Sequence, residues 1–141
     1  MCSCSRRTAI AILASAALGG TASALAASGE RIKKFVDAAF KMKAEAERTG
    51  DQPYGAVVVQ GDEIVGWGPS RVVVKRDWTA HAEREAMRDA QARLARADLS
   101  DCVMYSTSRP CSNCERAAVE ARLGRMFYGP NATDAGPPRS L

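Results

Sequence analysis

From Glu30 to Arg48 the apolar residues Ile32, Phe35, Val36, Ala39, Phe40 and Met42 recur at helical spacing among Lys, Asp and Glu, and Gly50 follows. That pattern predicts an amphipathic helix. The period then changes. Tyr54 to Gln60 is a β-branched run, Gly61-Asp62 supplies turn chemistry, and Glu63 to Gly68 alternates through Ile64, Val65 and Trp67. A β-hairpin is predicted there. Pro69 to Trp78 is expected to be a loop leading into the next element, although Val72-Val73-Val74 would suit a strand. Thr79 stands where it can cap a helix carrying His81, Glu83, Ala86, Met87, Ala90 and Leu94, with good helix formers persisting to Arg96.

Asp98 to Asp101 breaks that helix, and Cys102 to Ser106 reads as a buried strand. Pro110 is expected to start another helix running to about Leu123, and Arg125 to Tyr128 a short strand after Gly124. The tail from Gly129, with Pro130, Gly136, Pro137 and Pro138, is expected to add no element. The predicted order is therefore α-β-β-α-β-α-β. Strand-helix-strand alternation in the second half argues for parallel pairing there, with helices on both faces of a mixed sheet.

The 141 residues suit one domain, and 46% hydrophobic against 26% charged residues is the balance of a chain that buries a core. Part of the apolar count lies at the N-terminus. Met1 to Arg7 is short and basic, Ala9 to Leu18 is apolar, and Ala24-Leu25-Ala26 offers a small-x-small cleavage site. Residues 1–26 are thus expected to be an export signal, with residues 27–141 the working domain and the periplasm its location. Gly19-Gly20 interrupts the apolar stretch, which is too short for a membrane anchor of about 20 residues. Ser5-Arg6-Arg7 followed by Thr8-Ala9-Ile10 resembles a twin-arginine signal, with Ala9 where a bulkier apolar residue is usual. The alternative is an extension retained on a cytoplasmic protein.

Loss of Arg6 and Arg7 would lower the formal charge from +4 to +2. That is no nucleic-acid footprint. Arg84, Arg88, Arg93 and Arg96 alternate with Glu85 and Asp89 at helical spacing, the composition of a solvated helix face. Of the five cysteines, Cys2 and Cys4 fall in the expected signal. Cys102, inside an apolar run, reads as a buried small hydrophobe.

The other two cysteines carry chemistry. His81-Ala82-Glu83 is followed thirty residues later by Pro110-Cys111-Ser112-Asn113-Cys114. One imidazole and two thiolates match the three-ligand count of a catalytic zinc site, which keeps a position for water and leaves Glu83 free for proton transfer. Cys111 and Cys114, three apart at a helix start, share one face, and the positive helix end favours thiolate. Two other readings stay open. A Cys-x-x-Cys pair also serves thiol redox chemistry, which leaves His81, the single histidine, unexplained. A structural zinc site would need a fourth ligand, and Cys102 is the candidate.

Thr79-Ala80-His81-Ala82-Glu83 after Asp77, Ser106-Thr107-Ser108-Arg109-Pro110-Cys111, and Arg125-Met126-Phe127-Tyr128-Gly129 together resemble the cytidine deaminase-like superfamily. The nearest look is to its guanine deaminase and tRNA-adenosine deaminase branch, over about residues 30–136. The resemblance implies an α/β/α three-layer sandwich with a mixed sheet of about four to five strands, and usually a homodimer. It implies His81, Cys111 and Cys114 as ligands of Zn2+, Glu83 as the proton shuttle, and the Ala82 backbone near the substrate.

The implied activity is hydrolytic deamination of a nucleobase, nucleoside or related amino-heterocycle with release of ammonia. The rival inside the class is tRNA adenosine editing, which export and the weak net charge disfavour. The rival outside it is an exported thiol redox or zinc-binding protein. Several positions depart from the branch: Trp78 where Pro is frequent, Arg109 where editing members carry Glu, and Ser70 where a base-contacting Asn is usual. Ser70, Trp78, Ala82 and Arg109 are the expected substrate contacts, with Trp78 the candidate wall of the pocket and its alternative, a residue packed on the hydrophobic rim or at a dimer contact, the stronger of the two.

Overall fold

A computed structural model describes residues 20–140, with side chains from residue 24 onward. The expected leader, with its Arg6-Arg7 pair and with Cys2 and Cys4, lies mostly outside the described residues. The elements are α1 (Gly20–Arg48), β1 (Gly55–Gln60), β2 (Glu63–Pro69), α2 (Val72–Lys75), α3 (Ala82–Leu94), β3 (Cys102–Ser106), α4 (Ser112–Glu120), β4 (Arg125–Tyr128) and β5 (Thr133–Gly136). No described helix is long and apolar enough to cross a membrane.

One five-stranded sheet has the order β2-β1-β3-β4-β5. β1 pairs antiparallel with both β2 and β3, whereas β3 and β4 run parallel, joined through α4. The mixed sheet and the parallel pairing of β3 with β4 are as the alternation predicts, whereas β5 joins β4 antiparallel. Strand β1 is buried on both faces, so its two side-chain sets face different layers. Val57 and Val59 meet Phe35, Val36, Ala38 and Ala39 of α1, while Ala56 and Val58 meet Ala82, Ala86 and Ala90 of α3. Met104 and Met126 extend the second core, Tyr105 the first. Cys102 is fully buried in the second core, and burial with the Asp101 carboxylate beside it pushes its thiol up to about 11. That leaves it the inert core residue expected from its apolar run.

Gly66 and Gly68 decide how close α3 can come. A Cβ on Gly66 would meet the Ala86 carbonyl oxygen at 2.2 Å, and one on Gly68 the Ala82 carbonyl oxygen at 2.1 Å. Bare backbone on β2 is what lets the helix lie on the strand. The Trp67 N–H between them donates to Asp89 at 2.9 Å, pinning the same two elements.

Four expectations need correction. The stretch after Pro69 is not all loop: Val72–Lys75 forms a single helical turn, closed by Arg76 in the left-handed region at φ 53°. Its amides find an acceptor outside the turn, in Asp51, which a local reading cannot see. Thr79 does not cap α3, because its N–H and hydroxyl both go to Asp77 and His81 itself occupies the capping position. Pro110 precedes α4 rather than starting it, with Cys111 at the cap. The tail adds a strand after all: Phe127 pairs with Asp134 and Tyr128 with Thr133, and Arg125 grips Asp134 at 2.7 Å. Gly136, at φ 81°, supplies a conformation that favours glycine rather than a break.

Candidate metal centre and catalytic cavity

Helices α3 and α4 present their N-terminal ends to one point. His81 caps α3 with extended backbone (φ −61°, ψ 152°), and Cys111 caps α4 in the same manner (φ −75°, ψ 166°). Neither side chain bonds its own helix, so both are free to turn toward each other. The Nδ1 of His81 lies 3.7 Å from the Cys111 Sγ and 3.5 Å from the Cys114 Sγ. Ligand atoms of all three residues fall within 4.8 Å of one another. Burial runs from exposed Cys111 through half-buried His81 to buried Cys114, so the cluster opens on one side.

Glu83 stands behind the cluster, 6% exposed, with its Oε2 accepting from the Cys114 thiol at 3.6 Å. Burial pushes its carboxyl above the usual range. Burial also pushes the Cys114 thiol far up, and the neighbouring Glu83 and Cys111 push it further. The helix-end preference for thiolate is thus outweighed locally. A buried thiol beside an imidazole, a second thiol and a carboxylate becomes a stable thiolate once a cation shares the site, which is the behaviour of a soft-ligand metal centre. Imidazole and two sulfurs suit zinc, and no fourth protein ligand is needed when a catalytic position is kept open. Cys102 lies in the core with its Sγ 3.4 Å from Asp101, outside the cluster.

In front of the cluster is a cavity of about 450 Å³, lined by Gln52, Tyr54, His81, Ala82, Glu83, Ser108, Arg109 and Cys111. A groove of similar volume, about 440 Å³, runs between α1 and β2 past Lys33, Lys41 and Trp67, but it contains no histidine or cysteine. Chemistry, not volume, separates the two. Of the expected substrate contacts, Ala82 and Arg109 line the cavity near the cluster. Ser70 and Trp78 are not among its lining residues. Ser70 is fully buried and donates its hydroxyl to Asp51 at 2.8 Å, while Trp78 is 69% exposed. Gln52, Tyr54 and Ser108 line the cavity without having been anticipated. Their only sequence signal is position: they border β1 and the Pro110-Cys111 segment, whose ends meet through reciprocal contacts of Gly55 and Thr107.

Residues 29–130 match the family model for the cytidine and deoxycytidylate deaminase zinc-binding region. The chain belongs to this family. It is 36% identical over 102 residues to the guanine deaminase of Bacillus subtilis, covering 72% of this chain and 65% of that enzyme. A solved structure of a guanine deaminase from the same organism superposes with a TM-score of 0.65 at 35% identity, over 68% of this chain and 62% of the other. The tRNA-specific adenosine deaminase of Buchnera aphidicola is 34% identical over 96 residues, 68% of this chain and 64% of that one. A further solved relative, 25% identical with a TM-score of 0.64 over 68% of this chain and 56% of its own, is a complex with 8-azaguanine. The chain thus spans about two thirds or less of the length of each of these relatives. The mixed-sheet α/β architecture expected from the resemblance is that of these neighbours, and the named deaminases are hydrolases acting on C–N bonds.

Proposed function

We propose that this chain is a zinc-dependent deaminase of a small amino-heterocycle, a nucleobase, nucleoside or close relative. The observation that carries the reading is the His81, Cys111 and Cys114 cluster with buried Glu83 at the inner end of a single cavity. His81, Cys111 and Cys114 would hold the metal, which when bound supplies a Lewis acid that brings hydrolytic chemistry to neutral pH. The chain's own residues do the rest. Glu83 takes a proton from the attacking water as oxygen bonds the amine-bearing ring carbon, and delivers it to the ring nitrogen. It then carries the second proton to the amine, the C–N bond breaks, and ammonia leaves. Burial suits Glu83 to this work, since a carboxyl pushed upward releases and recovers protons nearer neutral pH. Ala82 and Arg109 border the substrate.

A small substrate is favoured over tRNA. Arg88 and Arg93 on the outer face of α3 pair with Glu85 and Asp89 at 2.8 and 2.9 Å, so that face is a solvated ion-pair surface rather than a phosphate track. The relative in complex with 8-azaguanine supports the same choice. The reading includes export of the chain to the periplasm through residues 1–26 and assembly as a homodimer. The experiment is ammonia release by zinc-loaded protein from cytosine, guanine, adenine, their nucleosides and tRNA. Turnover of a base or nucleoside is expected; turnover of tRNA alone would replace the reading by wobble-base editing, and none at all would end it.

A further inference from the structure

We infer that Gln52 reads the polar edge of the substrate, and that Asp51 and Ser70 are positioning residues that hold it there. The inference rests on the proposed deaminase reading. Gln52 contributes the one carboxamide among the residues lining the cavity. A carboxamide offers a donor and an acceptor side by side, the pairing that the edge of an amino-heterocycle presents in return. Arg109, its charged neighbour in the lining, only donates, and Tyr54 and Ser108 carry single hydroxyls. Among the described residues none hydrogen-bonds the Gln52 carboxamide, whereas its backbone is held twice.

The holding is specific. Asp51, 8% exposed, accepts four hydrogen bonds: Oδ1 takes the Gln52 N–H and the Ser70 hydroxyl, each at 2.8 Å, and Oδ2 takes the amides of Val73 and Val74 at 3.0 and 2.9 Å. The Gln52 carbonyl accepts the Tyr54 N–H at 2.8 Å, and the Tyr54 carbonyl accepts the Ser70 N–H at 3.0 Å. Arg71 then donates to the carbonyl of Ala80, next to His81, at 3.0 Å. One buried carboxylate therefore joins the end of α1, the end of β2 and the turn α2, and sets the rim of the cavity against the metal cluster. Free side chain on pinned backbone is the build of a recognition residue, since a pinned backbone lowers the entropy lost on binding.

The test uses the full chain loaded with zinc, titrated with 8-azaguanine and with adenine, alongside KM for whichever heterocycle it deaminates. Gln52→Ala should weaken binding or raise KM about tenfold while leaving Tm unchanged, because the residue is exposed. Gln52→Glu, which only accepts, should change the affinity ratio of the two probes, or the ranking of substrates, by a similar factor. Ser70→Ala should speed amide exchange at Gln52 relative to Val57–Val59, whose amides report the sheet as a whole. Wild-type affinities and KM values in both Gln52 variants would overturn the inference and leave the deaminase reading standing. A wild-type protein that binds neither probe and deaminates nothing would overturn both.

Discussion

The Nδ1 of His81 and the Sγ of Cys114 lie 3.5 Å apart although thirty-three positions separate them in the chain. The cap of α3 and the first turn of α4 make that distance, and with Cys111 at the cap of α4 they form the candidate ligand set. Purified protein should hold about one zinc per chain, and Cys111→Ala or Cys114→Ala should each lose it, since two remaining ligands retain the ion poorly. Metal analysis after dialysis checks this. Full retention in both variants would refute the ligand set.

Glu83→Gln should separate chemistry from structure. The carboxamide matches the carboxylate in size and can still accept from Cys114, so metal content should stay near wild type. Turnover should fall by about 10²–10⁴-fold, the usual contribution of a positioned acid–base group. Steady-state kinetics on the zinc-loaded variant decides it, and activity close to wild type would remove Glu83 from the mechanism.

Asp51 should make stability depend on acid. Burial pushes its carboxyl up, but the Val74 and Gln52 amides, the Ser70 hydroxyl and the Val73 amide outweigh that, and its pKa settles below the usual value. A depressed folded-state pKa contributes stability that is whole above the unfolded value, about 3.9, and is lost as pH falls through the folded one. Asp51→Ala should cost about 2–4 kcal/mol at pH 7 through the loss of its four hydrogen bonds. The Tm gap between wild type and variant should narrow below about pH 4. A gap that is constant from pH 7 to 3 would count against the assignment.

Gly68→Ala should be far more damaging than an ordinary surface change. The new methyl would meet backbone of α3 at 2.1 Å, and backbone cannot rotate away. Lifting α3 off β2 costs about 2–3 kcal/mol and shifts His81 and Glu83 with it. Both Tm and zinc affinity are expected to drop, and an alanine variant with wild-type values of each would contradict the packing described.

Trp78→Ala, by contrast, should leave stability within about 0.5 kcal/mol of wild type, because the residue is 69% exposed and is not among the residues lining the cavity. If Trp78 serves the proposed homodimer, sedimentation should show a weaker association in the variant. Altered KM with unchanged association would instead put the indole on the substrate.

The local pattern of residues by itself determined most of the elements and named the residues of the candidate centre. Helical spacing marked α1 and α3, a β-branched run marked β1 and alternation β2, and residue types with their spacing singled out His81, Cys111 and Cys114 as a three-ligand set suited to zinc, with Glu83 a carboxylate left free beside it. Tertiary structure decided what depends on partners distant in sequence. α2 exists because Asp51 accepts its amides, β5 because β4 offers it an edge, and Ser70 is drawn away from the cavity because the same Asp51 takes its hydroxyl. Gln52 and Tyr54 came to line the cavity for a like reason: the end of α1 is tied to the end of β2, and a hydrogen bond between segments nineteen residues apart leaves no periodicity in either.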